Sequence, residues 1–403
     1  MAILKKTAAV LTAVMISASV CSCGADTAYA LKADGKEVKA GVYIDYLFNE
    51  ISTQITTLSQ QGVQDEFLKQ SIDGKDFSDY VSEAALKNTK EYAVINAKFD
   101  ELKLTVDDDT LEQINSSISD AWEQQSQIYE KEGISKESLK NVLLASAKRS
   151  AIFSHYFAKD GVEAVSDEEL AKYVDDNYLR YKIIYMQKDS TDSDADKEAK
   201  DLRDSYLKKA DGLSFEDFDK IIDEYSEYQT KKNAEESESQ TESSVESSVV
   251  DSSADESSAA DSSAAEEKDE SSKADSSSSE AESEADPYKN EKMVNYSEID
   301  EDTLENAYGK AMTKIKELKE GVATAYEDDS AYYILIKGNV KERSKEYSSD
   351  TDNHDNILYQ MKSDDFQKYI DEWVEKADIE VNDKAIKRYT VQKVYDIRNE
   401  QSE

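Results

Sequence analysis

Residues 233–286 are drawn almost wholly from Ser, Ala, Glu and Asp, with 18 acids against only Lys268 and Lys273. A stretch of that composition cannot bury enough apolar surface to offset the entropy of ordering it, which predicts disorder over 233–286. Any core must therefore be assembled from the segments on either side. Closure entropy grows only logarithmically with loop length, so the tract reads as an extrusion from one small α+β domain. It carries about 16 of the 40 net negative charges, which leaves the foldable remainder far less extreme.

Charge and side-chain inventory exclude several function classes. With 89 acids against 49 bases, the surface repels phosphate backbones, which argues against nucleic-acid partners. Histidine occurs only at 155 and 354 and cysteine only at 21 and 23, so ligands for a transition metal and general bases near neutral pH are scarce. No cofactor motif stands out: there is no Gly-rich phosphate loop and no Ser-His-Asp arrangement. Pro287 is the single proline of the 403 residues, a composition that suits long helices.

The N-terminus bears on location. Lys5 and Lys6 precede AAVLTAVMISASV, an apolar run of signal-peptide length and too short for a membrane span. The following VCSCGAD resembles a lipoprotein lipobox, which implies a signal peptide over 1–22 and lipid on Cys23. Cys21 would leave with the signal, so no disulfide is expected. The alternative is a secreted protein cut after Ala28-Tyr29-Ala30. Either way the expected location is extracytoplasmic, in the first case with the membrane held through the lipid.

Periodicity then organises the rest. Residues 31–45 contain Asp34-Gly35 between two short β-like pieces. From about 42 to 175 the apolar spacing is helical: in 80–104 Val81, Ala84, Ala85, Tyr92, Val94, Ile95 and Phe99 lie near one stripe. TVDDDTLEQINSSISDAW offers Asp and Thr caps, Ser135 stands three residues before Ser138, and Ser166-Asp167 opens another helix. YKIIYM (181–186) then alternates as a strand. After it come a charged loop, a helix, a stop at Gly212 and a second helix to about 227. Beyond Pro287 a turn and helix precede a second strong strand in AYYILIKGNV (331–340), and from 356 a long amphipathic helix leads to a short β-like tail. Two strands that are unstable alone are expected to pair with each other.

This order resembles the PrsA/SurA family of extracytoplasmic foldases. The N-terminal likeness lies in LTVDDDTLEQINSSI, EGISKESLKNVLLASAKRSAIFSHYF and VSDEELAKYVDDNY. LSFEDFDKIIDEYSE (213–227) and ELKEGVATAYEDDSAYYILIKGNV (317–340) resemble two segments of a parvulin domain, the family's peptidyl-prolyl isomerase unit. The resemblance implies an α+β, mainly helical fold: an N-terminal helical chaperone-like domain over 23–165, a parvulin-like domain over 166–343 interrupted by the insert, and a C-terminal segment, 344–403, packing back on the first domain. It also implies that unfolded or partly folded exported polypeptides are the partners.

The same resemblance locates the positions where catalysis would reside. The family's first histidine falls on Lys182 and the second on Tyr333. The proline-shelf Met and Phe fall on Asp300 and Leu304, and the preceding paired glycines are missing. An acid on an apolar shelf is costly to desolvate. Lys182 and Tyr333 could in principle form a variant polar network; the simpler reading makes both ordinary sheet residues in a module that has lost catalysis. The sequence therefore predicts a lipid-anchored foldase-like chaperone with isomerase activity lost. The alternatives are an active divergent parvulin-type isomerase and a binding lipoprotein with one specific partner.

Other constellations are weaker. Asp192, Asp194 and Asp196 imitate half a calcium loop, but Lys197 and Arg203 stand where Gly and Glu are required. His155 reads as a helix residue and His354 as part of a polar loop. Of the aromatics Tyr92, Phe99, Trp122, Tyr129, Phe153, Tyr156, Phe157 and Trp373, most are expected in the core and a minority along a client groove.

Overall fold

The computed structural model describes residues 28–189, 191–245 and 288–399, without the side chains of 235–245 and 302. The expected signal peptide, Cys23 and the tract from 246 to 287 lie outside the described residues. The chain opens with β1 (Tyr29–Ala33), β2 (Lys36–Lys39), α1 (Ala40–Gln60), β3 (Ser71–Ile72), β4 (Lys75–Asp76) and α2 (Phe77–Leu102). Next come α3 (Asp108–Glu132), α4 (Lys136–Phe157), α5 (Asp167–Asn177), β5 (Tyr178–Gln187), α6 (Ser193–Ala210) and α7 (Asp219–Val245). It continues through β6 (Lys292–Asn295), α8 (Glu301–Glu305), α9 (Ala307–Glu317), β7 (Thr324–Glu327), β8 (Ala331–Gly338) and α10 (Ser344–Ser349). The last elements are α11 (Thr351–Lys376), β9 (Ile379–Val381), α12 (Asp383–Ile386) and α13 (Val391–Asn399). The fold is α+β and mainly helical, with small antiparallel sheets. Two compact units divide between Ser166 and Asp167 and again between Ile357 and Leu358, inside α11.

In the first unit, local chemistry sets each helix end. The Asp107 carboxylate accepts the Thr110 N–H at 2.7 Å to open α3, with Asp108 and Asp109 in the positive first turn. Gly133, at φ 95°, stops that helix in a conformation only glycine adopts freely. Ser135 accepts from the Ser138 N–H at 3.1 Å and starts α4. Phe77, Val81 and Ala85 of α2 are fully buried against Ile44, Leu47 and Ile51 of α1. Each such large side chain contributes about 1.5–3 kcal/mol. At the end of α4, Phe153 and Phe157 pack on Phe366 and Tyr369 of α11. The short β9 joins β1 with Leu31 opposite Val381, tying the two distant ends of the chain into one sheet.

The second unit is built on four antiparallel strands in the order β6-β5-β8-β7. The expected pairing of the two strong strands is present, with Tyr185 opposite Tyr333 and Ile184 opposite Ile334. Alternation sends Ile184, Met186, Tyr332, Ile334 and Ile336 toward Phe215 and Phe218 and the helices α6 and α7. Leu179, Tyr181, Tyr333 and Leu335 face Met312 and Ile315 of α9 instead. With both faces covered, YYILI is buried throughout, which is why it reads as an unbroken apolar run.

Two readings need correction. The edge strands β6 and β7 carry too few residues to show alternation and exist by pairing with β5 and β8. His354 lies in the first turn of α11, not in a loop, because the Asp350 carboxylate accepts the Asp352 N–H at 3.0 Å and starts the helix there. The α7 backbone runs on into the first residues of the acidic tract, to Val245, because adding a residue to a formed helix costs little once the nucleus exists. Among the described residues, no helix is long and apolar enough to cross a membrane.

Candidate functional site

Arg180 and Lys182 stand two residues apart on β5 and so share the face toward α7. Lys182 is 2% exposed. Its Nζ donates to the Asp219 carboxylate at 2.7 Å and to the Phe215 carbonyl at 3.0 Å, and lies 4.5 Å from the centre of the Phe215 ring. Asp219 sits in the first turn of α7, where the helix dipole favours an acid, and also accepts from Asn290 at 3.1 Å. Arg180 approaches the same ring to 4.5 Å and donates to Glu291 at 2.9 Å and to the Asn339 carbonyl at 3.1 Å. Beside it, Gly338 has no room for a side chain: a Cβ there would come within 2.9 Å of the Phe215 ring and 3.0 Å of Arg180 Cδ. Both buried cations are therefore paired, and they clamp β5 to the start of α7 and to the segment before β6.

Tyr333 lies on the other face. Its ring packs 5.6 Å from Tyr185 and 5.4 Å from Tyr326. Its hydroxyl donates to Asp328 Oδ2 at 2.8 Å, while Asp328 Oδ1 accepts the Ser330 and Ala331 N–H groups at 2.8 and 2.9 Å. Burial, then the bond to Asp328, pushes the phenol up to about 12, so it stays a neutral donor at ordinary pH. Burial works to raise the Asp328 carboxyl, but the bonds from Ser330, Tyr333 and Ala331 outweigh it and hold the group below its usual range. This carboxylate organises the turn from β7 into β8.

The structure does not bring Lys182 and Tyr333 together. Lys182 is opposite Ile336 and Tyr333 is opposite Tyr185, on the two sides of the sheet. Asp300 caps α8, accepting the Thr303 N–H at 2.7 Å and its hydroxyl at 2.9 Å. Leu304 is half-buried in α8. Of the groups that define this region, sequence reasoning missed Arg180, Asp219 and Asp328. Arg180 was within reach, since NYLRYKIIYM places it in phase with Lys182; the two acids become partners only once the register is known.

An open cleft of about 740 Å³ lies between α6 and α7 at the end of β5. Residues 185–189 border it on one side, Tyr225 and Tyr228 of α7 on another, and Ala199 and Leu202 of α6 on the third. Tyr225 donates its hydroxyl to the Tyr185 carbonyl at 3.1 Å.

The first unit buries acids. Asp45 of α1 is 5% exposed, and burial pushes its carboxyl up to about 7. Glu132, the last residue of α3, is 1% exposed, and neither carboxylate oxygen has a hydrogen-bond partner. Burial first, then the Asp45 charge, raise it to about 8 against the opposing pull of Arg398. Among the described residues, no group of three or more His, Cys, Asp or Glu could hold a metal ion. The calcium-like acids are used otherwise: Asp192 caps α6, and Asp196 accepts from the Tyr332 hydroxyl at 3.0 Å. His155 is half-buried beside Tyr156, and His354 pairs with Asp355 at 2.9 Å. Trp122 stacks on Tyr129 within the core, Tyr92 lines a 240 Å³ hollow with Arg149, and Tyr156 and Trp373 join the α4–α11 ring cluster.

No family model matches the sequence, and no curated protein matches it. Among solved structures, the crystal structure of the foldase protein PrsA from Streptococcus pneumoniae str. Canada MDR_19A is similar at 14% identity, over 79% of this chain and 97% of that chain. The TM-score is 0.31.

Proposed function

We propose that this chain is an extracytoplasmic, lipid-anchored protein of the foldase kind that holds unfolded or partly folded exported polypeptides and has lost prolyl isomerase activity. In this reading the parvulin-like domain (166–343) is a binding scaffold, and the chaperone-like domain (23–165) is completed by the C-terminal segment (344–403). Rotation about an X-Pro bond faces a barrier of roughly 18–20 kcal/mol. Lowering it takes a polar network beneath a twisted amide in a dry pocket. The observation that carries the loss of catalysis is that Lys182 is buried and committed to Asp219 and Phe215, while Tyr333 points its hydroxyl at Asp328 on the opposite face. The anchor rests on the VCSCGAD motif. The binding role rests on the family resemblance in sequence and on the aromatic-walled cleft beside β5. Aggregation of a thermally unfolding model enzyme, followed by light scattering, tests it. A stoichiometric excess of residues 24–403 is expected to suppress scattering by at least half; unchanged scattering at tenfold excess refutes the binding role.

A further inference from the structure

The strand β5 is ten residues long, but its neighbour β6 covers only its first part, from Tyr178 opposite Asn295 to Tyr181 opposite Lys292. Before Lys292 the chain turns away, with the Glu291 N–H bonded to the Tyr288 carbonyl at 2.8 Å. Among the described residues, no strand pairs with this edge of β5 beyond Tyr181. Ladder alternation identifies which groups face outward. The Lys188 N–H donates to the Ser330 carbonyl at 2.9 Å, on the β8 side, so residues 184 and 186 also point their backbone groups toward β8. Ile183, Tyr185 and Gln187 then direct theirs to the open edge. The hydrogen bond from Tyr225 to the Tyr185 carbonyl agrees with that assignment.

The cleft opens at the end of this edge, where Tyr185 and Gln187 border it and the Tyr225 hydroxyl already sits on the Tyr185 carbonyl. We propose that residues 183–187 accept an extended segment of an unfolded polypeptide as an added strand, continuing the ladder that β6 begins. The inference rests on the polypeptide-binding reading above and assigns it a site. An extended backbone is the occupant that matches alternating N–H and C=O groups, and the seated β6 residues already set its line. The incoming strand displaces the Tyr225 hydroxyl, itself held by Gln229 Nε2 at 2.7 Å, from the Tyr185 carbonyl. Side chains on one face of the guest meet Tyr225 and Tyr228 of α7, which suits apolar or aromatic residues at every second position. Lys188, Lys232, Asp189 and Glu198 mix both signs around the rim, so no single charge is selected.

The test uses the chain from residue 24 on, with a photo-crosslinking phenylalanine at position 228, and a reduced, carboxymethylated model protein as the permanently unfolded probe. The crosslink is expected at 228 and not at exposed Val162. Gln187→Pro, which removes an outward N–H and leaves the β8 ladder intact, is expected to weaken probe binding at least fivefold without moving the thermal midpoint. Tyr228→Glu, which changes the wall and not the backbone, is expected to give a comparable loss. Probe binding that survives both variants, with no crosslink at 228, overturns the site and leaves the polypeptide-binding reading standing. No probe binding by the parent chain overturns both. A crosslink from 228 to residues 246–287 of the same chain, or to a second copy, in place of the probe overturns the assigned occupant.

Discussion

In the second unit Arg180 and Lys182 are buried and each meets a carboxylate, Glu291 or Asp219. In the first, Asp45 and Glu132 are buried to a similar degree, and Glu132 has no partner at either oxygen. A paired buried charge acts as a mechanical tie between elements. An unpaired one takes up a proton instead, because desolvation penalises the charged form. The two units should therefore differ in what breaks them: loss of a partner in one, a change of pH in the other.

The largest effect is expected at Asp219. Asp219→Ala strands the Lys182 ammonium in the interior and should cost about 3–5 kcal/mol, read by urea unfolding of the tyrosine signal. Replacing both partners, Lys182→Met with Asp219→Leu, should recover most of that loss. A cost below about 1 kcal/mol for the single change would show that the pair is not the tie described.

The pH prediction concerns the first unit, which both tryptophans, Trp122 and Trp373, report. Asp45 and Glu132 are raised in the folded state, to about 7 and about 8. Their protons are held more tightly folded than unfolded, so the stability they contribute is complete below the ordinary carboxylate range. It is lost as pH rises through about 7 to 8. Each pH unit between the two states is worth about 1.4 kcal/mol, so a rise of roughly three units makes the loss on the order of 4–5 kcal/mol for each group. Glu132→Gln should flatten the decline, raising the fluorescence-detected midpoint at pH 9 by roughly 3–8 °C and leaving it unchanged at pH 4. A parent midpoint that is flat from pH 5 to 9 would contradict the assignment.

Smaller effects sharpen the contrast. Gly338→Ala forces a methyl against Phe215 and Arg180 and should cost about 1–3 kcal/mol in the second unit alone. Tyr333→Phe removes one hydrogen bond from an already well-satisfied Asp328 and should cost about 0.5–1.5 kcal/mol, seen as a small fall in the urea midpoint.

How much of this was legible in the sequence depended on whether the signal was local. Asp107, Ser135, Gly133 and Gly212 mark helix ends through their own side chains or lack of one, and β5 and β8 declare themselves by apolar content. KMVN and TAYE carry no such mark, since a four-residue edge strand is made by its neighbour. The candidate site was less legible still. The family pattern marks Lys182 and Tyr333 as the two histidine positions and leaves a network between them open; only the pairing register and the two-residue period of the strand show that they lie on opposite faces. The open edge of β5 could not be read at all, because it depends on where β6 stops.

On the proposed function, the second unit binds polypeptides without catalysing prolyl rotation. The most direct test follows the slow, proline-limited refolding phase of a model protein with substoichiometric amounts of residues 24–403. An unchanged rate constant is expected. Acceleration that grows with catalytic amounts of the protein, and that Lys182→Met or Tyr333→Phe abolishes, would contradict it.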